Sequence, residues 1–272
     1  MKKTILFLTI GLLIFASSCK KDEDDTNNGG GTTPVVKKWL ISKITNNDNS
    51  YTEISYNANK LVSTVKNYKT DGSLNDGLNV EYSSNKLSKI SIFDGNEDIG
   101  AYFNYIYSNN KLDKMIYLAD TDNDNQIDDT VAVYDYFINT NLDSLNLYYG
   151  AVLYKKAKYT WNSGNISNAK HYVSGISGFD LDKIYDYEYD TKINTKHGIG
   201  LDYFLPEIDD VSIMVKNNLT KITKKDENGV INIHSSRNYI NKYNDEDRII
   251  NSITISLAGD TLGVETYLYT QQ

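Results

Sequence analysis

From Trp39 onward, apolar and polar residues alternate in short runs separated by turn residues. In the run from Leu181 to Asp190, Tyr185, Tyr187 and Tyr189 fall on one side of an extended chain, and Asp186, Glu188 and Asp190 on the other. This period of two marks a strand with one covered face. Ser252-Ile253-Thr254-Ile255-Ser256-Leu257 alternates in the same way, and its hydroxyls are expected to face solvent. The segments 101–107 and 131–138 are nearly apolar throughout, which predicts strands covered on both faces. The pattern yields about seventeen candidate strands and no amphipathic helix.

A hairpin unit recurs along this stretch. Its motif is aromatic, polar, any residue, Asn or Gly, polar, aliphatic. It occurs as Tyr56 to Leu61 with Asn59 in fourth place, Tyr82 to Leu87 with Asn85, Tyr107 to Leu112 with Asn110, and Trp161 to Ile166 with Gly164. Variants start at Phe137, Val215 and Tyr243. The units follow one another at intervals of roughly 24 to 30 residues, the length of two strands and two turns. Asn and Gly tolerate positive φ with least strain, so the fourth position is expected to be the left-handed residue of a tight turn. The aromatic and the aliphatic would then face each other across the first pair of the hairpin.

A continuous meander of this length accumulates twist and has to close or curl to protect its edges. The expected fold is therefore all-β: an antiparallel up-and-down meander of hairpin repeats, forming a closed or C-shaped barrel-like sheet. Residues 191–210 interrupt the pattern. They are too long for a turn, and with Ile199, Leu201, Phe204 and Leu205 among them they read as a cover packed across the sheet.

The N-terminus carries an address. Lys2 and Lys3 precede an apolar run from Ile5 to Phe15, then Ala16-Ser17-Ser18-Cys19. The run is too short to span a bilayer and fits a signal peptide over residues 1–18. Cys19, the chain's single cysteine, stands where lipoprotein processing attaches a diacylglycerol. Residues 19–34 are charged and rich in Gly, Asn and Thr, so they form a flexible acidic tether ahead of one domain over 35–272. The expected location is the outer membrane, exposed at the cell surface, with a periplasm-facing lipoprotein as the alternative. Removing residues 1–18 leaves 26 basic and 36 acidic side chains, a net charge of −10. That balance provides no footprint for nucleic acid. One cysteine also excludes a disulfide framework.

The order of these features resembles a bacterial lipoprotein family of unknown function with a porin-like β fold. The features are the Cys19 lipobox and tether, the Tyr-x-Tyr-Asx hairpins, Tyr187 to Asp190 followed by Lys192-Ile193-Asn194, and Lys216 to Ile222. Thr195 departs from the Pro that the family carries after this Asn. The resemblance implies a barrel and a lipid anchor, and it supplies no catalytic residues. The repeats are also similar to the Tyr-Asp repeats of shell-forming toxins.

Candidate chemistry is sparse. Asp120, Asp122, Asp124 and Asp128 stand at positions 1, 3, 5 and 9 of a loop, and Gln126 at position 7 could offer its carbonyl, a spacing suited to Ca²⁺. Asn125 replaces the turn glycine and Val131 the bidentate twelfth ligand, so any affinity would be weak. His171, His197 and His234 lie far apart and match no metal or nucleophile motif. Asp186, Glu188 and Asp190 have the spacing of a glycosidase pair or of an ordinary solvated strand face. Tyr outnumbers Phe by 23 to 7, which suits rings with one apolar and one wet side. These observations favour a non-catalytic binding module for glycan or another extracellular ligand such as a surface protein. The alternatives are a structural or adhesive surface protein, a glycoside-active enzyme and a transmembrane β-barrel.

Overall fold

The computed structural model describes residues 39–95, 97–122, 124, 126–176, 178–197, 199–201, 211–212 and 214–271, with backbone alone for 97–99. Cys19, the leader and the tether lie outside these residues. The described residues form sixteen strands and no helix. The first eight are β1 (Trp39–Asn46), β2 (Tyr51–Tyr56), β3 (Val62–Tyr68), β4 (Leu74–Ser83), β5 (Lys86–Asp94), β6 (Glu97–Ser108), β7 (Lys111–Ala119) and β8 (Asp129–Ile138). The rest are β9 (Leu142–Tyr149), β10 (Val152–Asn162), β11 (Asn165–Gly175), β12 (Gly178–Ile193), β13 (Asn217–Asp226), β14 (Arg237–Tyr243), β15 (Ile249–Ser256) and β16 (Thr261–Gln271). Each strand pairs antiparallel with its sequence neighbours, and β1 pairs with β16 from Trp39↔Gln271 to Asn46↔Glu265, so the meander closes into a barrel. Closure resolves the choice between a ring and a C-shape, and the strand count is sixteen against about seventeen expected.

Because strand direction alternates, the turns collect at two ends. The β2–β3, β4–β5, β6–β7, β8–β9, β10–β11 and β14–β15 turns lie at the end that holds Trp39 and Gln271, together with the long β12–β13 connection. All the repeated motifs fall at this end. Three of its turns are as expected: Asn85 (φ 62), Asn110 (φ 66) and Gly164 (φ 83) are left-handed, and Tyr82↔Leu87, Tyr107↔Leu112 and Trp161↔Ile166 close the hairpins. The first unit differs. Its left-handed residue is Lys60 (φ 62) rather than Asn59, and Tyr56 pairs with Val62. The loop is longer, and the Asn57 side chain accepts the N–H groups of Asn59 and Leu61 to hold it.

The hairpins share a further device. Each of the six at the Trp39 end shifts register immediately before its closing residue, before Tyr56, Tyr82, Tyr107, Ile138, Trp161 and Tyr243, and β12 shifts likewise before Tyr189. Such bulges break the ladder locally and leave backbone groups in need of partners. Aromatic side chains supply several of the missing donors. Tyr56 Oη donates to the Ile41 carbonyl at 2.8 Å, and Trp161 Nε1 to Leu142, Tyr189 Oη to Ile166 and Tyr269 Oη to Ile249, each at 2.7 Å. A phenylalanine cannot do this, which gives the excess of tyrosine a structural cause.

The interior is filled by side chains over much of the ring. Val62, Leu87, Leu112, Leu142, Ile166 and Ile249, which follow the turns, are at most 4% exposed. They join Val65, Ile90, Met115, Tyr134, Tyr136, Tyr185 and Tyr187 in one core. Ile199 and Leu201 from the β12–β13 connection are buried in the same core, as a cover would be, while Phe204 and Leu205 lie outside the described residues. The cover is tied across the end: Val62 N–H donates to Ile199 O at 3.0 Å and Lys216 N–H to Gly164 O at 3.1 Å. Asn194 anchors it. Its buried Nδ2 donates to Ser212 O and Val215 O, and its Oδ1 accepts from Lys196 N–H.

Segments 101–107 and 131–138 correct the expectation of two covered faces. Asn104, Ile106 and Phe137 point outward and are exposed, while Phe103, Tyr105, Tyr134 and Tyr136 fill the core. On the outer wall Lys114 pairs with Asp135 at 2.8 Å, Lys221 with Glu188 at 2.7 Å and Lys225 with Asp186 at 2.5 Å.

Candidate functional site

One sector of the interior is not filled. Between β13 and β1 a cavity of about 660 Å³ runs from the cover to the β1–β2 turn at the opposite end. Asn218, Arg237, Tyr239, Asn241, Ser252, Thr254, Glu265 and Tyr267 line its wall, Asn194, Lys196 and Ser212 its floor, and Asn46 to Asp48 its rim. Here the strands turn polar residues inward. Ser252 and Thr254 therefore face the interior, correcting the expectation that they meet solvent, while Ile240, paired with Ile253, is exposed on the outside. Alternation fixes which residues share a face but leaves open which face is the inner one.

The lining is partly cross-linked. Ser252 Oγ donates to Asn241 Oδ1 at 2.8 Å, Asn241 Nδ2 donates to Leu219 O at 2.9 Å, and the Tyr267 hydroxyl donates to Glu265. Burial, reinforced by the Glu265 charge, holds the Tyr267 phenol far above its ordinary pKa, so this hydroxyl stays a donor. Four charged groups face the space: Arg237, Lys196, Asp48 and Glu265. Arg237 and Asn241 were not singled out by motif. The available signal was the alternation Arg237-Asn238-Tyr239-Ile240-Asn241 and the fact that Arg237 is one of only two arginines.

A second hollow of about 540 Å³ adjoins the first, sharing Asn46 and Asp48. Inside it Thr52 Oγ1 donates to Asn67 Oδ1 at 2.7 Å, Asn67 Nδ2 to Asp76 at 2.6 Å, and Asn75 Nδ2 also to Asp76, a carboxylate only 5% exposed. Together the two hollows form a polar mouth opposite the cover.

The acidic loop between β7 and β8 assembles differently from its spacing. Asp120, Asp122 and Asp129 bring carboxylate oxygens within 4.8 Å of one another. Asp124 instead accepts from the backbone and side-chain N–H groups of Gln126, both at 2.8 Å, and Asp128 stands outside the cluster. Asp129 is held by Thr121 Oγ1 and N–H at 2.5 and 2.9 Å, bonds that keep its carboxyl below the ordinary range. A cation here would be held by Asp120, Asp122 and Asp129.

The remaining candidates are dispersed. His171 is buried beside Tyr185 with ring centroids 4.7 Å apart, His197 sits in the cover and His234 is exposed in the β13–β14 loop. Asp186 and Glu188 hold their lysines on the outer wall, and Asp190 accepts from Tyr243 Oη. Partial burial alone would raise Asp186, but the Lys225 ammonium and the Asn168 amide outweigh it and keep the carboxyl below its usual value.

No family model matches the chain, and no curated protein matches it. Among solved structures it is similar to a porin-like protein from Bacteroides vulgatus, 11% identical, with a TM-score of 0.53 over 86% of this chain and 99% of that one. A porin-like protein from Bacteroides uniformis is 12% identical with a TM-score of 0.46, over 85% and 96% of the two chains. A component of the Photorhabdus luminescens Tc holotoxin pore, 12% identical, aligns with a TM-score of 0.32 over 76% of this chain and 12% of that one. The first likeness is one of fold: a porin-like, closed β-barrel.

Proposed function

We propose that the protein is a lipoprotein of the outer membrane, displayed at the cell surface through Cys19, whose barrel is a non-catalytic binding module for glycan. The observation that carries the binding reading is the polar cavity. Within a barrel otherwise packed with Leu, Ile, Val and Tyr, one sector turns amides, hydroxyls and the Tyr239 ring, together with Leu219, Ile222, Ile249 and Leu262, toward a space of about 660 Å³. A lining that mixes amide and hydroxyl groups with aliphatic and aromatic carbon suits an occupant with both hydroxyl and C–H surface. Sugars match it, with hydroxyls for Asn, Ser and Thr and a C–H face for the ring of Tyr239. A purely structural or adhesive protein has no need of such a hollow. The chain enters the barrel at the covered end, opposite the polar mouth.

A membrane-spanning barrel is the reading that the porin-like fold invites, and the outer wall speaks against it. Lysine facing lipid at mid-depth costs about 2–4 kcal/mol. This wall carries Lys114, Lys221 and Lys225 with their carboxylates, so the exposed Ile106, Phe137, Ile240 and Leu268 are interrupted by charge and form no continuous apolar band. The test is a glycan array probed with the purified protein, followed by titration calorimetry on any hit. Binding that weakens when Asn241→Ala removes the amide from the cavity wall supports the reading; an array without hits overturns it. A weak Ca²⁺ site at Asp120, Asp122 and Asp129 belongs to the same proposal, and it fails if calorimetry gives no Ca²⁺ heat that Asp122→Ala abolishes.

A further inference from the structure

The chain has 26 lysines and two arginines, and the two arginines are placed differently. Arg248 sits at the seam, its guanidinium 4.7 Å from the Trp39 ring and 5.6 Å from the Tyr269 ring, in contact with Glu246. Arg237 opens β14, half-buried, and lines the cavity on the same face as Tyr239 and Asn241. Among the described residues nothing bonds its side chain. The two carboxylates of the cavity are engaged elsewhere. Asp48 accepts from Ser50 N–H at 3.0 Å and from Ser50 Oγ at 2.7 Å, and Glu265 accepts from Tyr267. The other cation, Lys196, has its ammonium 5.5 Å from the Tyr267 ring centroid.

The Arg237 guanidinium lines the cavity with no acceptor among the described residues, and its planar fork fits the two oxygens of a carboxylate. Resting on the glycan reading, we infer that the ligand is an acidic oligosaccharide whose uronate carboxylate seats on Arg237. Tyr239 flanks that ring, and Asn241 and Thr254 meet its hydroxyls. The adjoining hollow takes the next residue of the chain.

The experiment uses two matched libraries: uronate-containing oligosaccharides, and the same compounds with their carboxylates reduced to alcohols. Calorimetry on the purified protein should find the acids binding about ten- to a hundredfold more tightly than their reduced counterparts, the range of a charge-assisted pair. Arg237→Gln should abolish that preference with an unchanged melting temperature, and Arg237→Lys should restore part of it. Equal binding of both libraries, or a preference that survives Arg237→Gln, overturns the acidic ligand and leaves the glycan reading standing. Failure of both libraries, together with every neutral glycan on the array, overturns the two readings at once.

Discussion

Asn85 and Asn59 occupy the same place in the repeat, yet only Asn85 is left-handed. A β-branched residue there meets the steric penalty of that region, so Asn85→Val should cost about 1–2 kcal/mol in urea denaturation. Asn59→Val loses an exposed amide bond to Asn85 and should cost about 0.5 kcal/mol. Equal losses would contradict the assignment of the strained residue to Lys60 in the first unit. The tyrosine donors make a second residue-scale prediction. Tyr189→Phe keeps the ring but strands the Ile166 carbonyl, and should lower stability by about 1–3 kcal/mol. A midpoint equal to that of the parent would mean that water serves this carbonyl as well.

Among elements, the cover depends on one side chain. Asn194 holds Ser212, Val215 and Lys196 through both ends of its amide, so Asn194→Ala leaves two buried carbonyls unserved. Hydrogen exchange of residues 195–197, 199–201, 211–212 and 214–216 should accelerate while β4 to β8 stay protected; uniform exchange would show that apolar burial of Ile199 and Leu201 suffices. The cover and the hairpins are legible in the sequence because both rest on local chemistry, turn residues in one case and a break in periodicity in the other. The cavity is not legible. Ser252 and Thr254 alternate with Ile253 and Ile255 whichever way the strand faces, and the direction is settled only when β16 closes on β1. The acidic loop misled for a related reason: Asp129 folds back onto Thr121, a contact that ligand spacing along the chain does not encode.

At the scale of the molecule, the tyrosine-rich interior sets a limit at high pH. Burial raises the phenols of Tyr105, Tyr136 and Tyr267 well above the ordinary tyrosine range, and pushes Tyr269 up to about 12. A group raised in the folded state stabilises fully below its unfolded value and loses that contribution as pH climbs toward the folded one. The barrel should therefore be insensitive to these groups up to about pH 9 and weaken steeply above pH 10, with phenolate absorbance appearing together with loss of the strand spectrum. Phenolate signal from these rings ahead of unfolding would contradict their enclosure.

The pairing of Trp39 with Gln271 has a bearing on biogenesis. A polypeptide emerging N-terminus first presents β1 early, and that strand waits with one bare edge until the final strand arrives. During this interval the nascent ribbon is adhesive, and any helper that guards it would find its natural foothold on Trp39 to Asn46.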